Sequence, residues 1–432
     1  MLIYSEDITP RLQFVVRFIF KDVLGIGADI TSDKETFRIS EGPKISYSKE
    51  KIGDEINIIP AGLLFGNKIT EIKQDTGIWD DLKTIFPVTG KTELPFDLFA
   101  GVFYLLSRYE EYFPFKGDRY GRFKAEESLA FKNGFLEQAI VDRWIMKFRD
   151  VLKGRYPEPD IPGKNFTFIP TVDIDMPYEY LHKSTARCVG GAVRSILRGE
   201  FKKLRERYDV VTGKRQDPYY TFDRIKEIHE RPGLITFFLT ADYGKYDKSI
   251  NPGCEEFRRI VNYVSCFSFI GIHPSWESNR QPDLRKKEIN ALGSIADKSI
   301  TRSRQHYLVL DFPRTYQQLS ELGIREDYSM GYASRTGFRA GTCTPFHFYD
   351  LSNEAETPLV IYPFQVMDRT LKDYMKFQPA EAIRKIEEIV SEVRAVNGTF
   401  ISIWHNDTFS NKGEWEGWLE VYENLLSMAA RD

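Results

Sequence analysis

The feature that most constrains this chain lies in its C-terminal part. From residue 165 onward, short β-branched or aromatic runs alternate with segments of helical period. The strand candidates are 166–171, 234–239, 267–272, 307–310, a run ending near Phe338, 359–362 and 400–404. The clearest helix is 379–396, with Pro379 in its first turn, Ile383, Ile386, Val390 and Val393 on one face, and Asn397-Gly398 closing it. Strand–helix alternation of this kind means a parallel sheet, and the length suits a closed barrel of about seven strands.

A stiff connector, residues 157–164, carries three prolines (Pro157, Pro159 and Pro162) and so excludes a helix. It divides the chain into an N-terminal α+β domain, 1–156, and the barrel, 165–432. The N-terminal part mixes strand-like runs such as 55–59 with an amphipathic helix over 98–112. In that helix Leu98, Val102, Leu105 and Tyr109 face one way and Arg108, Glu110 and Glu111 the other. Gly25 and Gly27 lack the third glycine and acidic partner of a nucleotide loop. This part is expected to cover or extend the barrel and to contribute no chemistry.

Among 432 residues, 60 Lys+Arg against 63 Asp+Glu leave a net charge of −3, which gives no argument for nucleic acid. Cys188, Cys254, Cys266 and Cys343 form no CxxC pair, and the pattern reads as reduced and intracellular. The apolar stretch 12–20 is interrupted by Arg17 and resembles no signal peptide, and no apolar run approaches the roughly 20 residues of a membrane span. A cytoplasmic protein without a transmembrane segment is expected.

In a barrel, chemistry gathers past the C-terminal ends of the strands. Here Thr171-Val172-Asp173-Ile174-Asp175 follows the first strand and Gly271-Ile272-His273 ends the third. Gly337-Phe338-Arg339 ends the fifth and Ile403-Trp404-His405 the last. Two carboxylates at i and i+2 can divide their labour, one binding a divalent metal and one staying free as a base. A histidine across the site can protonate a leaving group, and an arginine can keep the free carboxylate ionised. These are the parts for metal-assisted hydrolysis of an amide or ester.

The same residues resemble the polysaccharide deacetylases, the family of chitin and peptidoglycan deacetylases with the NodB-homology domain. Thr171 to Asp175 match its Thr-hydrophobic-Asp-x-Asp motif, His273 begins its histidine motif, Gly337-Phe338-Arg339 match its arginine motif, and Ile403-Trp404-His405 match its last motif. The resemblance spans roughly residues 165–430 and implies a distorted (β/α)7 barrel. It implies Asp173 as general base, Asp175 and His273 as metal ligands, Arg339 as the brace of Asp173, and His405 as general acid. The metal would be a divalent ion, zinc first, and the substrate an N-acetylated carbohydrate. Two departures stand out. Glu277 occupies the place of the family's second histidine, and Ala340-Gly341-Thr342 replace the proline and aromatic after the arginine. Glutamate can ligate zinc, and His306 is a rival third ligand, so the sequence leaves both open.

Trp276, Trp404 and Tyr243 are candidates to stack on a sugar face, and Asp242 to bind its hydroxyls; Asp247 shares the mouth with a turn role beside it. Cys343 and His347 read as packing, and no Gly-x-Ser-x-Gly elbow occurs. Between His182 and Gln216, ten Lys/Arg face Glu200, Glu206 and Asp209. This excursion reads as a solvated helical insertion, or as a basic lip for an anionic substrate such as a phosphate-linked sugar or for peripheral contact with a membrane. The alternatives to a carbohydrate N-deacetylase are a degenerate barrel that binds sugar without turnover and an amidohydrolase for a small non-sugar amide.

Overall fold

Two parallel ladders organise the chain, whose structure is a computed structural model describing all residues but 73, 91, 158–160, 230–232 and 431–432. In the N-terminal part, β1 (Leu2–Ser5), β2 (Asp29–Thr31), β3 (Lys44–Tyr47) and β4 (Ile56–Ile58) form a parallel sheet in the order β2-β1-β3-β4. An antiparallel hairpin, β5 (Thr76–Trp79) and β6 (Leu82–Ile85), follows. The helix Leu98–Leu106 starts where Asp97 accepts the N–H of Ala100 (2.9 Å). It is buried all round rather than on one face, and Arg108 and Glu111 beyond it are buried as well. The amphipathic helix expected over 98–112 therefore ends at Leu106.

The second ladder is a nine-stranded sheet in the order β12-β13-β11-β10-β9-β8-β7-β15-β14. Its strands are β7 (Thr167–Ile174), β8 (Ile235–Leu239), β9 (Phe269–His273), β10 (Arg302–Ser303), β11 (Glu326–Asp327), β12 (Phe346–Asp350), β13 (Ala355–Ile361), β14 (Val366–Met367) and β15 (Thr399–His405). Every pairing in it is parallel except β12–β13. The molecule is thus mixed α/β with a large, mainly parallel sheet. Among the described residues no ladder joins β12 to β14.

Side-chain alternation divides this sheet into two faces. Val172 and Ile174 of β7, Ile270 and Ile272 of β9 and Trp404 of β15 join the main core beneath the helices. Ile235 and Phe237 of β8 and Ile401 and Ile403 of β15 fill a separate interior core with Tyr328, Phe364 and Met367. Thr171, Asp173, Gly271, His273 and His405 have the parity of this inner face. Five expected strands lie where β-branched patterning put them. The strand expected at 307–310 is instead a 3-10 turn, His306–Leu308, and the run ending near Phe338 is a turn. The two-residue strands β10, β11 and β14 carry too little pattern to be read.

The main core includes residues on both sides of 157–164, of which 158–160 lie outside the described residues. Phe14 and Phe103 pack against Tyr349, with ring centroids 5.1 Å apart in both cases. Arg11, itself buried, pairs with Glu354 (2.5 Å). In the C-terminal part, His229 Nε2 meets the hydroxyl of Tyr422 (2.6 Å). Burial lowers the His229 pKa from 6.5 to about 4. The unfolded chain therefore binds a proton that the folded one refuses, and stability falls as pH drops from about 6.5 to about 4. Urea titrations across this window should show the wild type losing about 2–3 kcal/mol more than His229→Phe. Parallel loss in both chains would remove His229 as the cause.

Candidate metal centre

Asp173 and Asp175 leave β7 on the same face but meet different surroundings. Asp173 is 2% exposed and accepts from Arg304 Nη1 (2.8 Å). The same Nη1 reaches Thr171 Oγ1 (2.7 Å), and Arg304 Nε donates to the Tyr328 carbonyl (3.0 Å). The guanidinium lies 4.5 Å from the ring centroid of Phe237. That ring needs Gly271, since a Cβ there would fall 2.5 Å from Phe237 Cδ1. Arg304, which follows β10 directly, thus occupies the place expected for Arg339. Arg339 instead grips Glu111 of the N-terminal part, through Nε (3.0 Å) and Nη2 (2.5 Å), beside Arg108 on the same carboxylate (2.8 Å). The reason is local: 337–339 form a turn, not a strand end, so Arg339 does not inherit the inward parity of the sheet.

Asp175 faces three histidines. Its Oδ1 lies 3.3 Å from His273 Nε2, and its Oδ2 lies 3.6 Å from His306 Nε2 and 3.9 Å from His405 Nε2. Each histidine is oriented through its other nitrogen. His273 Nδ1 bonds the Arg304 carbonyl (2.6 Å), His306 Nδ1 the carboxylate of Asp247 (2.7 Å), and His405 Nδ1 that of Asp368 (2.8 Å). Asp368 is buried and also takes the His405 N–H (2.9 Å) and the Thr408 hydroxyl (2.5 Å). With Nδ1 so committed, each histidine turns its Nε2 to Asp175, the orientation in which a neutral imidazole binds a metal.

One ligand atom each from Asp175, His273 and His306 lies within 4.8 Å of the other two. A tetrahedral ion held at about 2.0–2.1 Å needs ligand atoms about 3.3–3.4 Å apart, close to the 3.3 and 3.6 Å observed. Asp175 Oδ1 is buried without a hydrogen-bond partner among the described residues, an orphan that a cation satisfies. The donor set therefore fits a divalent ion. Burial works against the charge of Asp175, but His306 and His273 outweigh it and hold the carboxyl well below its usual range. Burial likewise opposes the charge of His306 and His405, yet Asp175 and Asp247 draw the first up to about 10, and Asp368 and Asp175 the second to about 9.

Glu277 stands outside this group, half-buried in the turn Glu277–Asn279. His306 lies just past the C-terminal end of β10, level with His273 past β9. The expected substrate contacts are dispersed. Trp404 has the opposite parity to His405 and is buried against Tyr422 (5.0 Å). Trp276 stacks with Tyr246 (4.5 Å) and faces a neighbouring cavity with Arg280 and Phe312. Tyr243 is exposed beneath Arg187 (3.9 Å), and Asp242 lines a separate cleft with Asn251 and Arg258.

Above the histidines opens a cavity of about 660 Å³. Its walls include Tyr307, Tyr374, Arg369 and Lys376, together with Arg119, Tyr120 and Arg122 from the N-terminal part. Tyr120 packs on Tyr307 (4.7 Å), and Arg122 donates to the Tyr307 carbonyl (2.8 Å) and to the Tyr374 hydroxyl (3.1 Å). The N-terminal part, expected to cover or extend the barrel without contributing chemistry, supplies one wall. Nothing in the spacing of Asp118-Arg119-Tyr120-Gly121-Arg122 announces this. Arg304 and Asp368 were missed because each follows a strand only two residues long.

Residues 1–157 match a family of unknown function, DUF7033. No curated protein matches the chain. Among solved structures it is similar to a Mycobacterium smegmatis protein assigned as a polysaccharide deacetylase, at 17% identity and a TM-score of 0.40 over 64% of this chain and 87% of that one. The allantoinase Puue follows at 9% identity and 0.39, covering 63% and 88%. A polysaccharide deacetylase from Bacillus cereus stands at 11% identity and 0.28, covering 60% and 88%.

Elemental analysis after zinc loading and dialysis should find about one ion per chain. Asp175→Ala and His306→Ala should abolish it, and Glu277→Ala should leave it unchanged. Asp247→Asn, which removes the charge of the carboxylate that holds His306 Nδ1, should weaken binding about 10–100-fold. Retention of the ion in His306→Ala with loss in Glu277→Ala would reverse the ligand assignment.

Proposed function

We propose that this chain is a metal-dependent N-deacetylase acting on a carbohydrate. The observation that carries the proposal is the division between two carboxylates of one strand: Asp175 turned to the histidines, Asp173 held apart by Arg304. Asp175, His273 and His306 would hold a divalent ion, and two imidazoles with one carboxylate suit zinc. When bound, the ion supplies Lewis acidity toward the substrate's amide carbonyl.

The remaining steps belong to the chain. Asp173, paired with the Arg304 guanidinium, accepts a proton from the attacking water. His405, held by Asp368 and drawn up to about 9, carries a proton at neutral pH and gives it to the departing amine nitrogen. Tyr120, Tyr307 and Tyr374 offer aromatic faces for a pyranose ring. Arg119 and Lys376, neither with a carboxylate partner among the described residues, suit an anionic substituent such as a phosphate-linked sugar. The scaffold that brings these groups together is read as a distorted barrel, with only residues 362–365 separating β13 from β14 across the sheet's open side.

Acetate release from N-acetylated mono- and oligosaccharides, neutral and phosphorylated, tests the reading. The zinc-loaded chain should release acetate, and Asp173→Asn and His405→Gln should each lower kcat about 10²–10⁴-fold with the ion retained. Asp173→Asn also leaves a buried guanidinium unpaired, so His405→Gln is the variant that separates chemistry from folding. Arg119→Ala should raise KM for the phosphorylated sugar alone. A metal-loaded chain that frees no acetate from any sugar but hydrolyses small linear amides would overturn the carbohydrate reading.

A further inference from the structure

Between β7 and β8 the chain leaves the sheet as a helical hairpin, Thr185–Leu197 and Phe201–Val211. Its stem is tied by Asp217, 3% exposed, which accepts the N–H groups of Glu179 (2.8 Å), Tyr180 (2.8 Å) and Leu181 (3.1 Å). The hairpin inverts the usual amphipathic order. Its first helix turns small residues inward: Cys188, Gly191, Ala192 and Ser195 are its less exposed positions. A Cβ on Gly191 would lie 2.5 Å from Arg207 Nη2, so the guanidinium of the second helix rests on bare backbone there. The large apolar side chains face water instead. Leu197 is 81% exposed, Phe201 68% and Val189 57%, and Val193 and Ile196 lie on the same side.

On a helical wheel Val189, Val193, Ile196 and Leu197 fall within an arc of roughly 100°, with Arg194 and Arg198 beyond its Leu197 edge. Lys202 and Arg205 of the second helix are exposed beside Phe201. None of these four cations has a carboxylate partner among the described residues. An exposed apolar crest edged by unpaired cations is the pattern of a helix that lies in a lipid interface, apolar side among the acyl chains and cations among anionic head groups. A nucleic acid would use the cations and leave Leu197 and Phe201 in water. A protein partner would need an apolar groove with an acidic rim. Arg187 anchors the hairpin to the carbonyls of Lys248 (2.8 Å) and Ser249 (3.0 Å), next to Asp247, which holds His306. The crest is therefore joined to the mouth of the cavity through one short loop.

We infer that the hairpin 185–211 docks the protein on an anionic phospholipid surface, with Val189, Val193, Ile196, Leu197 and Phe201 inserted and Arg194, Arg198, Lys202 and Arg205 at head-group level. This goes beyond the deacetylase reading and holds independently of it.

Co-sedimentation of the full chain with vesicles tests the inference, comparing phosphatidylcholine alone with phosphatidylcholine containing about 30% phosphatidylglycerol. Binding is expected to the anionic vesicles and to weaken as salt is raised. Leu197→Asp with Phe201→Asp should lower partitioning at least ~10-fold. Both positions are exposed, so folding and zinc content should match wild type. Lys202→Glu with Arg205→Glu should weaken binding and flatten its salt dependence. In Phe201→Trp, the indole emission should shift to the blue on anionic vesicles only. Absence of binding to either vesicle, or wild-type binding by the double Asp variant, would overturn the proposal. So would a concentration-dependent dimer that the double Asp variant abolishes while vesicles go unbound, because a second copy would then be the occupant. Zinc content and acetate release are read separately, so failure here leaves the functional reading standing, and the reverse.

Discussion

The buried guanidinium of Arg304 is the contact around which the inner face of the large sheet is assembled. It is fully buried, and a charge in that position is tolerated only when paired and hydrogen-bonded. Asp173 supplies the charge, Thr171 and the Tyr328 carbonyl take further donors, and Phe237 offers its face. These partners belong to β7, β8 and the end of β11, so one side chain ties together three parts of the sheet. The Arg304 backbone contributes as well. Its N–H donates to the Ile272 carbonyl (3.0 Å), and its own carbonyl fixes the ring of His273. The residue that pairs with Asp173 is thus also the one that selects which nitrogen of His273 faces Asp175.

The same economy recurs at the other two histidines. Asp247 and Asp368 are both buried, and each spends an oxygen on an Nδ1 proton. Three imidazoles consequently present three Nε2 atoms to one carboxylate. Such convergence leaves Asp175 Oδ1 buried without a hydrogen-bond partner among the described residues. It is an arrangement that a cation completes.

Much of this was legible in the chain, and the failures are instructive. Asp173, His273 and His405 lie at the ends of strands of five to eight residues, and Asp175 just past one, long enough for β-branched patterning to mark where each ends. Arg304, His306 and Asp368 follow strands of two residues, which leave no pattern. Placing a strand at 307–310 put His306 before it, at the wrong end of the sheet, and so left Glu277 as a rival. Arg339 was assigned from three residues that resembled a strand end and form a turn. Trp404 could have been excluded by period-two alternation once His405 was set inward. Arg119, Tyr120 and Arg122 lie in a loop remote in sequence from every other group they meet, and only tertiary packing brings them there.

That loop also changes what the proline-rich connector signifies. Glu111, buried, is shared by Arg108 on one side of the connector and Arg339 on the other, and the aromatic core runs unbroken between them. Composition marks residues 157–164 as a border, yet the buried charges of Arg108, Glu111 and Arg339 are balanced across it. A fragment beginning at residue 165 would keep every histidine while carrying Arg339 without its counter-charge and a cavity open along one whole side. Heredity offers such a pair of segments no easy route to separate lives: shuffled apart, each would inherit half of an ion cluster that neither can bury alone.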